Sequence, residues 1–267
     1  MNQFTASLWG DEAFSAILSM KPLGEIIKII INDTSPPLYN ICEHIWFQIF
    51  GSSEIAIRSL SFLFFLLTIF FVYKIGELLW GKKTGLLAAT LSFLNPFFFI
   101  YAFEGRMYSC LALGVVASMY FFLKKNWPAY VIATTWAIYS HHFAIFALCV
   151  QALWFLYEFF LGKRKIAFSM FKSFFVIGLL YLPWLVPLYK QTRMVGSGFW
   201  LPHPTWMDLI NLIQDYLAKG IKHPLAQLGL AAVVTVLLLR NWRKNIQKTL
   251  FLASWFFLPI FLTWLVS

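Results

Sequence analysis

Apolar residues fall in blocks along the chain, most of them near the ~20 residues that a helix needs to cross a ~30 Å hydrocarbon layer. The blocks are 58–79, 84–103, 107–123, 127–142, 143–161, 169–189, 224–240 and 249–267. None carries the period-two alternation of a barrel strand, so all eight are expected to be helices. Two stretches stand apart. Residues 1–57 mix acids, prolines and amphipathic pieces, and residues 190–223 mix aromatics, prolines and charges.

Polar residues between the blocks set an orientation. Lys82 and Lys83, then Lys124 and Lys125, then Lys163, Arg164 and Lys165, then Arg240, Arg243, Lys244 and Lys248 occupy every second junction. Short basic loops stay in the cytoplasm, so these four are assigned there. Residues 127–161 form one apolar run interrupted only by Ser140, His141 and His142, with basic clusters on both sides. That run must cross an even number of times, which makes it a hairpin with the histidine pair at its outer tip. Asp11, Glu12, Glu25, Asp33, Glu43, Glu54, Glu104, Asp208 and Asp215 then all fall on the outer side, leaving only Glu77 and Glu158 near the inner one. Chemistry is expected to face outward.

The expected architecture is therefore an all-α, polytopic membrane protein with about eight transmembrane helices, sited in the plasma membrane. Residues 1–57 form an outer segment carrying acids and surface helices, and residues 58–189 a transmembrane core. Residues 190–223 form an outer aromatic and proline-rich loop, and residues 224–267 supply two further spans. No hydrophobic helix and no signal peptide precede the outer acids, and the chain stops in an apolar run. This reads as a fragment lacking its first transmembrane helix and its C-terminal part.

Composition agrees with the lipid assignment. Hydrophobic residues are 60% and charged residues 12% of the chain, against roughly 45–50% and about 25% in soluble domains. The net charge of +10 does not point to nucleic acid, because the cations lie in small clusters between apolar runs rather than on one face. Cys42, Cys110 and Cys149 are scattered and odd in number, fitting neither a disulfide framework nor a CxxC site.

Five constellations could carry chemistry. In WGDEAFS (residues 9–15), Asp11 and Glu12 point about 100° apart on a helix, so one could act as a base while the other supports it; an exposed acidic turn is the plain alternative. In DTSPPLY (residues 33–39), Asp33 precedes a proline pair that forbids helix and starts an amphipathic helix suited to a membrane surface. In FEGRMY (residues 103–108), Glu104 and Arg106 sit at a bilayer boundary, where charges are costly unless paired or used. Arg suits a phosphate because its fork donates two hydrogen bonds at once, and a structural ion pair is the alternative. In SHHF (residues 140–143), neighbouring histidines diverge and lack metal-ligand spacing, so His141 and His142 suit substrate contact better than metal binding. The loop after Gln191, with GFWLPHPTW, places Trp200 where it could stack on a sugar, although aromatic belts also mark membrane interfaces. No phosphate loop, GxGxxG or GxSxG is present.

These five motifs, in this order and spacing, resemble the polyprenyl-phosphate-dependent glycosyltransferases of the GT-C superfamily, in the protein O-mannosyltransferase and aminoarabinose-transferase-like branch (glycosyltransferase family 39-like). Gly105 stands where that family usually has alanine in its E-A-R motif; the acid and the arginine are kept, and the change reads as mild. The resemblance implies an integral-membrane, inverting transferase. It would move a hexose or pentose from a polyprenyl-phosphate donor to a protein, lipid or glycan acceptor outside the cytoplasm. Asp11 is the expected base with Glu12 in support, and Arg106 the phosphate ligand, oriented by Glu104. Asp33, His141, His142, Gln191 and Trp200 are expected substrate contacts. A divalent cation, Mg or Mn, is left open at Asp11 and Asp33. A polytopic transporter or lipid flippase is the alternative, with Asn95–Pro96 as its best broken helix.

Overall fold

The structure, a computed structural model, describes residues 3–196, 204–219 and 245–266, with a few positions between 225 and 236. Among the described residues the ordered elements are all helical. Three short helices come first: α1 (Gly10–Ser19), α2 (Leu23–Ile30) and α3 (Leu38–Phe50). Prolines set two of their starts, since α2 follows Pro22 and α3 follows Pro36–Pro37. Gly51 ends α3 with φ 74, a left-handed stop that a glycine adopts at no steric cost.

The long helix α4 (Glu54–Trp80) is capped by Ser53, whose Oγ accepts from the Ala56 N–H at 3.3 Å. Its 27 residues span ~40 Å, running from the acidic end of the molecule to a basic end near Lys248. Next comes α5 (Lys82–Leu94), which breaks at Asn95 and resumes as α6 (Pro96–Ala102) at a 69° bend. Pro96 cannot continue the ladder, and Asn95 Oδ1 caps the new segment by accepting from the Phe98 N–H at 3.1 Å.

Helices α7 (Tyr108–Lys124), α8 (Trp127–Ser140) and α9 (Ala144–Phe160) follow, and the histidine pair occupies the turn between the last two as expected. Then α10 (Arg164–Tyr181) passes through one 3₁₀ turn at Leu182–Trp184 into α11 (Leu185–Gly196), well beyond the expected end at residue 189. The stretch read as a loop contains α12 (Trp206–Ala218), capped reciprocally by Thr205 and Asp208. The last helix is α13 (Ile246–Val266).

α4 packs on α5 and α7, α7 on α8, α8 on α10, and α9 on α13. The core between them is built on Met119, Phe122, Tyr130, Val150, Met170 and Phe251. Its few polar groups satisfy one another. Tyr130 donates to Gln151 Oε1 (2.8 Å), Gln151 Nε2 donates to Ser118 Oγ (2.8 Å), and Ser118 meets Thr134 Oγ1 (2.7 Å). Interhelical hydrogen bonds of this kind suit an interior with no water to compete.

Three described runs are long and apolar enough to cross a membrane singly: α4, the Arg164–Gly196 run and α13; the bent α5–α6 pair makes a fourth. α7 and α9 have 17 residues each and α8 has 14. Within the described residues the expected blocks are helical, with 84–103 broken in two at Asn95, but the expected count of about eight spans is not reached on length alone. Most of the expected span 224–240 lies outside the described residues.

Candidate active site

α1, α3, the 104–106 loop and the 141–142 turn meet at one end of the bundle. Adjacent acids on α1 separate there as the helix requires. Glu12 turns inward and is 2% exposed, whereas Asp11 lies at the surface. Glu12 Oε2 pairs with Arg58 Nη2 at 2.9 Å, and its Oε1 accepts from Arg58 Nε (3.4 Å) and from the Gly105 N–H (2.8 Å). Its Oε2 also faces the Trp9 N–H at 3.4 Å, closing the start of α1. A carboxylate so fully engaged has little capacity left for a substrate.

Arg58 escaped the reading of the sequence. It heads an apolar run, and no motif around it marks it. The available signal was its cost, since a charge at the start of a span must be paired or used.

Gly105 proves to be a constrained position. A Cβ added there would lie 2.4 Å from Ile57 Cγ2, so alanine does not fit beside this isoleucine. The change that reads as mild in the motif is required by the packing.

Arg106 faces Asp11. Its Nη2 lies 3.7 Å from Asp11 Oδ2, and its Nη1 donates to the Asp11 carbonyl at 3.3 Å. Its Nε is buried with no protein partner. Asp11 is thus the acid beside Arg106, in place of the expected Glu104, which touches Arg106 only through the backbone (Arg106 N–H to Glu104 O, 2.7 Å). The Glu104 carboxyl instead lines a cavity of about 220 Å³ with Gln3, Trp9, Phe103 and the Glu12–Arg58 pair. Burial first, then the nearby Glu12 charge, pushes its pKa up to about 7, against the opposing pull of Arg106.

A second polar group surrounds Gln191, which is 2% exposed. Gln191 Nε2 donates to the carbonyls of Ile30 (2.8 Å) and Ser35 (3.4 Å), so its Oε1 must accept from His142 Nε2 at 2.8 Å. In the neutral ring, His142 Nδ1 accepts from the Tyr181 hydroxyl at 3.2 Å. Asp33 sits in the same turn as Ser35 and accepts from that hydroxyl at 3.4 Å. His141 Nδ1 accepts from the Phe143 N–H at 3.1 Å, leaving its Nε2–H as a donor. Burial, with His142 and Arg106 adding to it, holds His141 down to about 4. His141 therefore lies between the two groups and is neutral at physiological pH.

Glu43, one of the nine acids expected on the outer side, is 0% exposed. It accepts from Ser19 (2.7 Å), Ser15 (3.3 Å) and Tyr39 (3.4 Å), tying α1 to α3 without a paired cation. Burial raises it to about 7. Trp200 lies outside the described residues. Among the described residues no three His, Cys, Asp or Glu side chains converge as a metal site. Asp11 and Asp33, the residues left open for a cation, belong to different groups.

A family model described as dolichyl-phosphate-mannose-protein mannosyltransferase matches residues 34–187. The match takes in the 104–106 loop and the histidine turn, while Asp11, Glu12, Asp33 and Gln191 fall outside it. Neither the curated proteins nor the solved structures gave a match. With more than half of its length matched, and with an all-helical bundle containing membrane-length helices, the chain belongs to the dolichyl-phosphate-mannose-protein mannosyltransferase family, a family of membrane glycosyltransferases.

Proposed function

We propose that this protein moves a sugar from a polyprenyl-phosphate donor to an acceptor hydroxyl at the non-cytoplasmic face of the plasma membrane, by inverting direct displacement. The observation that carries this reading is the contact between Asp11 and Arg106, an exposed carboxylate against a guanidinium with one N–H to spare. A donor phosphate competes for that guanidinium and releases Asp11 as it binds. The freed carboxylate takes the acceptor hydroxyl's proton while the hydroxyl oxygen attacks the anomeric carbon. The bond from that carbon to the phosphate oxygen breaks, and the phosphate keeps the electron pair beside Arg106.

Neutral His141, as an N–H donor, and the His142–Gln191 group beside the Asp33 turn are suited to the donor's sugar, with Trp200 as a stacking surface. The apolar part of the donor suits a cleft of about 540 Å³ along the α5–α6 break, lined by Asn95, Phe97, Tyr101, Tyr108 and Tyr216. Tyr108 faces Arg106, which joins this cleft to the phosphate position. The 69° break also suits a transporter or flippase, and sugar transfer separates the two readings.

The test offers the full-length protein in membranes a panel of polyprenyl-phosphate sugars and follows transfer. Asp11→Asn should lose about 10²–10⁴-fold in rate while keeping donor binding. Retention of more than about a tenth of the rate would exclude Asp11 as the base.

A further inference from the structure

We propose that Arg58 is a positioning residue for transfer. Acting through Glu12, it fixes the loop that carries Glu104 and Arg106. The inference rests on the transferase reading of this site, and its geometric part stands independently.

Arg58 is 5% exposed, and its guanidinium ties the start of α4 to the N-terminal stretch from Gln3 to Glu12, 46 to 55 positions earlier in the chain. Nε and Nη2 hold both oxygens of Glu12 (3.4 and 2.9 Å). Nη1 donates to the carbonyls of Gln3 (3.0 Å) and Ala6, and Nη2 to that of Ser7 (3.2 Å). Glu12 then passes the constraint on, because its Oε1 takes the Gly105 N–H at 2.8 Å. Gly105 lies between Glu104 and Arg106, and Ile57, the residue before Arg58, closes the far side of it.

The chain of contacts therefore runs from the start of α4, through a buried ion pair, to the backbone beside the phosphate ligand Arg106. A lysine could pair with Glu12 but could not also hold three carbonyls, since only a planar fork presents donors in so many fixed directions. Both Glu12 oxygens are thus engaged within the protein, at a side chain only 2% exposed. An ionised acceptor makes the Gly105 bond short and strong, and Arg58 is what permits a charge at this depth.

Removing Arg58 alone would bury an uncompensated carboxylate and could unfold the protein. The decisive variant is Arg58→Gln/Glu12→Gln in the full-length protein, which removes both charges together. Amide hydrogen exchange of the 103–107 segment and donor kinetics are then read side by side. We expect a folded protein with faster exchange at Gly105. Donor kcat/KM should fall about tenfold or more, the equivalent of one lost hydrogen bond to a charged group. The donor KM should rise more than kcat falls, because the phosphate ligand Arg106 is displaced while Asp11 stays in place; a merely structural loss would lower the active fraction, and so kcat, with KM unchanged. Arg58→Lys should fall between the double variant and wild type.

Unchanged exchange at Gly105 would overturn the strut. Faster exchange with wild-type KM and kcat, or with kcat lowered and KM unchanged, would overturn the positioning role. A wild-type protein that consumes no polyprenyl-phosphate sugar would overturn the transferase reading, and exchange would still decide whether the strut exists.

Discussion

At Gly105 a single methyl group separates two outcomes. Ile57 is buried and β-branched on a helix, so its Cγ2 cannot swing away freely, and an alanine at 105 must displace the loop or the helix. Overpacking of this kind costs about 1–3 kcal/mol. Gly105→Ala should therefore lower the thermal midpoint in detergent, and Gly105→Ala in an Ile57→Ala background should cost much less. Equal losses in both backgrounds would remove Ile57 as the cause. The motif residues Asp11 and Arg106 were legible in the sequence because acids and arginines at a membrane boundary are rare and expensive. Their partners were not. Which acid meets Arg106 depends on how α1 is rotated, and Glu12 finds Arg58 across 46 positions of chain. Glu43 gave no local sign of burial, since its three hydroxyl partners are assembled by the packing of α1 on α3.

Elements cross closely where small residues allow it. Gly114 on α7 lies against Ala137 on α8, and a Cβ at 114 would stand 2.8 Å from the backbone of that residue. Backbone cannot turn aside as a side chain can, so Gly114→Ala must push the helices apart. The nearby Ser118–Thr134 hydrogen bond, 2.7 Å long, should be strained with them. The expected result is a larger loss of thermal stability than at Gly105, with no recovery from trimming any one neighbouring side chain. A stable Gly114→Ala protein would mean that the two helices lie farther apart than described. The break at Asn95–Pro96 was readable because proline has one local meaning in a helix. α12 was hidden by the prolines and tryptophans around it, although Thr205 and Asp208 form a recognisable cap. The extension of α11 passed unseen because Lys190, Gln191 and Arg193 ended the apolar run that marks a span.

For the whole molecule, orientation and acid–base balance are the open quantities. Cysteines introduced at Ser52 and Gly196, in a background without Cys42, Cys110 and Cys149, should react with an impermeant thiol reagent applied outside. Labelling only after the membrane is opened would reverse the orientation and move the site to the other face. Stability should respond to pH in two opposed senses, through Glu43 and Glu104 on one side and His141 on the other. Glu43, raised to about 7, keeps its proton when folded; its contribution is full below about 4.5 and is lost as pH rises through about 7. His141, lowered to about 4, works in the other sense: its contribution is present above about 6.5 and is lost as pH falls through about 4. Glu43→Gln should therefore shrink the decline in thermal midpoint between about pH 4.5 and 7, leaving the share that Glu104 contributes, and an unchanged slope would mean that Glu43 is ionised throughout. The helices of the core were legible from apolar blocks, whereas the number of crossings was not, because a block's length in sequence includes its caps and turns. That shortness has a mechanical consequence. Helices of 17, 14 and 17 residues reach only ~25, ~21 and ~25 Å, less than the ~30 Å of an undisturbed hydrocarbon layer. If α7, α8 and α9 cross, the bilayer must dip around them, drawing the head groups of surrounding lipids inward toward the level of Arg106.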